Sequence, residues 1–231
     1  MITAIKNSVL YAIMLTSLQT ILALPLAVLL DKKLKTRNLL RAVFFFPAVF
    51  SSLIIGYLWN FIMSSSDYGL INNLLHQLGF GTFNFFTADR ALFSVILTQA
   101  WQWTGWAMVI YLAGLQNVPL DLIEAAKIDG ANAKQILFKI KIPMVMPSIT
   151  ICTFLTLTNS FKLFDQNLSL TGGEPAKQTM MLAYNIYDTF YARSGPQWKG
   201  IGQAKAVVFC LFVVVLAVLQ QKLTQSKEVQ Q

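Results

Sequence analysis

The sequence predicts an all-α, polytopic membrane helix bundle with five spans, treated as one transmembrane domain over residues 1–231. Three observations carry this. Charged residues are only 12% of the chain, against about 25% in an ordinary soluble domain. Apolar residues make up 55% and gather in long uncharged runs. The 18 Lys and Arg cluster in alternate loops. Mean hydropathy is +0.56, and an aromatic content of 13% excludes a disordered chain.

The spans follow in order. Asn7 to Leu30 is free of charge for 24 residues; at about 1.5 Å per residue it reaches roughly 36 Å, enough for a ~30 Å hydrocarbon core. Ala42 to Ser66, Ala91 to Leu120 and Ile142 to Phe161 pass the same test. The run Ala206 to Gln221 is shorter and extends back to Ile201 if the Lys205 amine snorkels to the interface. Tyr68 to Ala88 holds too many Gly, Asn and Gln to sit in lipid, and reads as an interfacial loop. Within it Leu70, Leu74 and Leu78 mark one face of a short amphipathic helix.

A net charge of +8 raises the question of nucleic acid, and placement answers it. Lys32, Lys33, Lys35, Arg37 and Arg41 sit in the first loop, and Lys127, Lys134, Lys139 and Lys141 in the third; the second carries only Arg90. This is the positive-inside pattern of short membrane loops, so the partner is a lipid bilayer and no nucleic acid is expected. The long connection from Lys162 to Lys205 is external, and the tail with Lys222 and Lys227 is inside, so the C-terminus is cytoplasmic. Met1 then lies outside without a signal peptide, and one more helix is expected upstream. Cys152 and Cys210 fall within spans, as small hydrophobes. A single histidine, His76, and the lack of any phosphate-loop, zinc or nucleophile-elbow motif argue against an enzyme: no catalytic residue, metal site or cofactor is assigned to this chain.

The stretch Pro119 to Pro143 is the most informative. Asp121 can cap a short helix through Lys127, and Gly130 can end it in a left-handed conformation. A second helix runs from about Asn132 to Ile140, with Ile136, Leu137 and Ile140 on one face, and Pro143 opens the next span. Ala125, Ala126 and Gly130 are small enough for another protein to approach the backbone, and Glu124 offers it a carboxylate.

Glu124-Ala125-Ala126, then Gly130, Ile140 and Ile142-Pro143, resembles the EAA loop of bacterial ABC importer permeases, with isoleucine at 142 where the pattern has leucine. Arg41 with Phe45-Phe46-Pro47, Gly69-Leu70-Ile71-Asn72, Ala113-Gly114-Leu115-Gln116, Phe164-Asp165 and Leu170-Thr171-Gly172-Gly173 resemble permeases of carbohydrate importers of the maltose and glycerol-3-phosphate type. Glu174 interrupts that last motif before Pro175. The resemblance runs from Asn7 to the C-terminus and implies a six-helix core whose first helix is the one not seen here.

By that resemblance Glu124, Ala125, Ala126, Gly130, Ile140 and Pro143 couple the chain to an ATPase. Two ATP-binding subunits bind ATP-Mg, a second, different permease completes the solute pathway, and an extracytoplasmic solute-binding protein delivers a sugar or oligosaccharide. The setting is the bacterial cytoplasmic membrane. Thr156, Asn159 and Ser160 share one face of span four at i, i+3 and i+4. The family places solute contacts at the positions of Thr156 and Ser160 and an aromatic at that of Trp101. Trp103, Trp106 and Tyr111 read as packing residues or interface anchors. Leu163 stands where a maltose-type site has a polar residue. The alternatives are an ion-driven secondary transporter, against which the uncharged spans argue, and an ABC permease for a non-sugar solute.

Overall fold

The computed structural model describes all residues except Lys33, Asp67 and 226–231, together with the side chains of 221 and 223–225. Lys33 and Lys227, both counted in the charge pattern, lie outside the described residues.

Among the described residues, three helices are each long and apolar enough to cross a membrane: Ile2–Asp31 (α1), Ala133–Phe161, and Pro196–Gln220 within α11 (Pro196–Gln225). Two bent pairs raise the number of crossings to as many as five. In the first, α2 (Arg37–Phe45) runs through a 3-10 turn at Phe46–Val49 and turns by 97° into α3 (Ser52–Ile62). In the second, α5 (Ala91–Gln116) bends by 66° into α6 (Leu120–Ile128).

The first bend corrects the expectation of a single span over 42–66. Pro47 lacks an N–H and its ring blocks a continuing helix. The chain then restarts at Ser51, whose side chain caps α3 by accepting from Leu53 N at 3.3 Å. Once turned, α3 lies against α9 (Asp165–Leu170), where Asn60 Nδ2 donates to Leu170 O at 2.7 Å. The interfacial loop holds the expected short helix, α4 (Leu70–Gln77), with Leu70, Leu74 and Leu78 all exposed. Asn72 fixes the loop beneath it, donating to Ser64 O and Phe83 O and accepting from Phe83 N.

Residues sort as the bilayer requires. Leu10, Ile13 and Ile21 of α1 and Val207, Leu211, Val214 and Val218 of α11 face outward. Asn7, Ser8, Gln19, Thr98, Gln102, Thr104, Thr156 and Ser160 are buried inside the bundle. Polar groups are costly in hydrocarbon and turn inward to find partners. Small residues set the spacing: Ala23 and Ala27 of α1 meet Ala107, Met108, Tyr111 and Leu112 of α5 and Val145 and Cys152 of α8 (Ile142–Phe161). Cys152 is buried as expected, whereas Cys210 is exposed on the outer face of α11.

Three further expectations are revised. Asp121 lies in the first turn of α6 and makes no cap; Pro119 holds the N-cap position without a side-chain bond. Pro143 does not open a separate span. The helix that starts at α7 (Ala133–Ile136) continues through a π turn at Leu137–Lys141 into α8. A π turn just before a proline fits the lost N–H and the clash with the carbonyl four residues earlier. Lys205 does not snorkel away: its Nζ donates to Asn185 Oδ1 at 3.1 Å and Thr189 Oγ1 at 2.7 Å, fastening α10 (Leu182–Tyr191) to α11.

Candidate functional site

The bundle presents two candidate functional elements, one at the basic end and one between helices. The first is the loop 119–143. Helix α6 closes with a Schellman motif: Ala131 N donates to Ala126 O at 2.9 Å, and Gly130 N to Lys127 O at 3.1 Å, with Gly130 at φ +81°. Asn132 then starts α7 with a reciprocal capping box, accepting from Gln135 N at 2.9 Å while Gln135 Oε1 accepts from Asn132 N at 2.8 Å.

The turn between the two helices is therefore rigid. Glu124, Ala125 and Gly130 are exposed, Ala126 is half-buried, and Ile123 and Ile140 pack into the α1–α5–α8 core. Leu120 (70% exposed), Ile128 (86%) and Phe138 (64%) surround them as apolar side chains with nothing of this chain to cover them. Pro143 lies within the continuous helix behind this surface and not on it.

The second element is a cavity of about 140 Å³ between the middle of α1 and α5 and the C-terminal end of α8. Helix α1 contributes Leu15 and Gln19, and α5 contributes Gln99, Trp103 and Trp106. Thr156, Asn159 and Ser160 line it from α8, so the structure brings together all three residues expected from the i, i+3, i+4 spacing. Ser160 Oγ bonds back to Thr156 O at 2.6 Å, which uses its proton and leaves lone pairs free. Gln19 Nε2 donates to Trp103 O at 3.1 Å, tying α1 to α5 at the cavity wall. The two indoles stand edge to face with centroids 6.1 Å apart.

Trp101 is not part of this lining; it packs against Trp59 of α3 at 5.3 Å and is 42% exposed. At 3.6 residues per turn, residues 101 and 103 point about 200° apart, so only one of them can face the cavity. Gln99, Trp103 and Trp106 stand at i, i+4 and i+7 of one helix face, a spacing that was open to the same reasoning as the α8 stripe. Gln19 carried no such signal, being the lone polar contribution of α1 to the cavity. Tyr111, read as a packing residue, is buried, with its hydroxyl 3.3 Å from Thr20 Oγ1.

Helices that turn apolar side chains outward and gather amide, hydroxyl and indole groups around a cavity between them have the architecture of a polytopic membrane protein with a polar site inside the bundle. The chain belongs to the family of binding-protein-dependent transport system inner membrane components, whose profile matches residues 1–229. It is thus an ABC importer permease, a multi-pass membrane component working with a binding protein, a partner permease and an ATPase, and not itself an enzyme.

Among curated proteins it is 40% identical over 210 residues to the probable starch degradation products transport system permease AmyD of Thermoanaerobacterium thermosulfurigenes, covering 91% of this chain and 70% of that one. It is 33% identical to the multiple sugar-binding transport system permease MsmF of Streptococcus mutans, over 91% of this chain and 71% of that one. Among solved structures, a chain of a bacterial alginate ABC transporter, captured with an alginate pentasaccharide-bound periplasmic protein, superposes with a TM-score of 0.86 at 19% identity. That match covers 97% of this chain and 78% of the other, and it shows the shared fold.

Proposed function

We propose that this subunit forms, with a second and different permease, the membrane pathway for a sugar or oligosaccharide, driven by two ATP-binding subunits, one of them docked on its 119–143 loop. The observation that carries the proposal is the continuity of Ala133–Phe161. One end of this helix begins at the Gly130 turn, and the other end holds Thr156, Asn159 and Ser160 in the cavity wall. A displacement of the loop is therefore carried to the wall along the same helix.

In the proposed cycle, ATP closes the ATPase dimer and α6 travels with it. Helix α8 swings against α1 and α5, and the cavity changes the side to which it opens, which is alternating access by rigid-body motion. The basic end is then cytoplasmic, with the C-terminus on that side, and Glu124, Ala125, Ala126 and Gly130 form the contact with the ATPase. Ile140 holds the loop to the core. Sugar as the solute is supported by the names of the related permeases and by a lining of indoles, hydroxyls and amides.

The test is the assembled importer in proteoliposomes, screened for ATPase stimulation and uptake against sugars, amino acids and inorganic ions. Sugar-stimulated hydrolysis and uptake that stops with a hydrolysis-deficient ATPase is the expected result. Uptake that persists under an ion gradient without hydrolysis would sink the ABC coupling, and stimulation by a non-sugar alone would sink the solute class.

A further inference from the structure

Three buried polar atoms on cavity-lining residues have no hydrogen-bond partner in this chain: Gln19 Oε1, Gln99 Oε1 and Trp103 Nε1. A buried unpaired group is costly, and one in a cavity wall is placed to take a bond from a molecule that enters the cavity. Gln19 is 2% exposed, and the donation of its amide nitrogen to Trp103 O fixes which end is left over. The unfilled set is two carbonyl acceptors and one N–H donor, joined by the spare lone pairs of Ser160 Oγ. Among the described residues of this chain, no Asp, Glu, Lys, Arg or His lines the cavity. The charge next along α8, Lys162 at its C-cap, is exposed and outside the lining.

From this we infer that the cavity selects a neutral polyhydroxylated ring, an uncharged hexose or pentose unit, and rejects uronates. The inference rests on the sugar reading above and goes further by assigning the charge of the solute. A sugar hydroxyl both donates and accepts, so it satisfies a glutamine carbonyl and an indole N–H equally well. A carboxylate only accepts. The neutral N–H and O–H donors of the lining would hold it with no cation among them to balance its charge or replace its lost water.

At about 140 Å³ the cavity is of the size that takes a six-atom ring such as benzene, so it admits part of one sugar unit at a time. Trp103 and Trp106 offer it a face and an edge at right angles. The alginate transporter, which shares the fold, imports an acidic polysaccharide. The backbone architecture therefore leaves solute charge open, and the lining side chains decide it.

The test uses the assembled permease–ATPase complex in nanodiscs, without the binding protein, so that selection by that protein does not mask selection here. Calorimetry compares a neutral glucose trisaccharide, a neutral arabinose trisaccharide and a galacturonate trisaccharide. At least one neutral sugar should bind about ten-fold or more tightly than the uronate. Gln19→Leu should lower neutral affinity by about ten-fold. Gln99→Lys, at a half-buried site that tolerates a longer side chain, should raise uronate affinity toward the neutral value. Equal binding of neutral and acidic sugars, or a ratio unmoved by Gln99→Lys, overturns the charge assignment and leaves the sugar reading standing. Binding of an amino acid or inorganic ion with no response to any sugar overturns both.

Discussion

Lys141 pairs through its Nζ with the carboxylate of Asp31, joining the last residue of α1 to the π turn that leads into α8. Both side chains are mostly buried, at 23% and 17% exposure, and they lie 110 residues apart in sequence. The pair fixes the end of α1 to the helix that runs from the Gly130 turn to the cavity wall. Asp31→Asn and Lys141→Met should each lower thermal stability by on the order of 1 kcal/mol and reduce solute-dependent ATPase stimulation. The exchange Asp31→Lys with Lys141→Asp should recover part of both. A double-mutant cycle checks this, and an interaction energy of zero would remove the pair from the coupling path.

Gly130 occupies left-handed space with nothing within 4 Å of where a Cβ would stand. A substitution there strains the backbone without a clash inside this chain. Gly130→Val should cost about 1–2 kcal/mol locally and crowd the docking surface, whereas Gly130→Asn, which tolerates this conformation, should retain ATPase co-purification. Glu124→Lys should lose co-purification while membrane insertion survives. Wild-type behaviour of both Gly130→Val and Glu124→Lys would remove the loop from the coupling role.

Gly105 of α5 lies so close to α2 that a Cβ would come within 1.9 Å of Phe44 O and 2.3 Å of Phe44 C. Neither backbone atom can rotate away, so α2 and α5 must separate. Gly105→Ala should destabilise the subunit by about 1–3 kcal/mol, seen as a lower unfolding temperature in detergent. Gly200→Ala, at an exposed glycine of α11 with nothing within 4 Å and no left-handed φ, serves as the comparison.

Lys205 holds α10 through Asn185 and Thr189, and Thr189 is itself bonded back to Asn185 O at 2.7 Å. Lys205→Met keeps the length of the side chain and removes all three donor protons. Hydrogen exchange should then accelerate across Leu182–Tyr191 and leave α1 and α5 unchanged. Unaltered protection in α10 would mean that packing of Phe190 on Gly202 suffices without the lysine.

The spans were legible in the sequence because lipid imposes one simple demand, a long run without charge, and each of the five runs falls on a membrane-crossing helix or bent pair. The Gly130 turn and the Asn132 start were legible because capping is local chemistry within four residues. The stripe Thr156, Asn159, Ser160 was legible because helical periodicity fixes which residues share a face.

What tertiary structure alone decided is long-range. The 97° turn after Pro47 depends on α3 finding α9 more than a hundred residues later, with Gly56 set against Ser169. That Trp103 and Trp106, and not Trp101, meet the α8 stripe depends on the rotation of α5 about its axis, which is set by its packing on α1 and α2. The position of Gln19 opposite them depends on that same packing. Periodicity tells which residues face together; only the neighbouring helices determine what they face, because burial energy belongs to the contact and not to either strip of sequence alone.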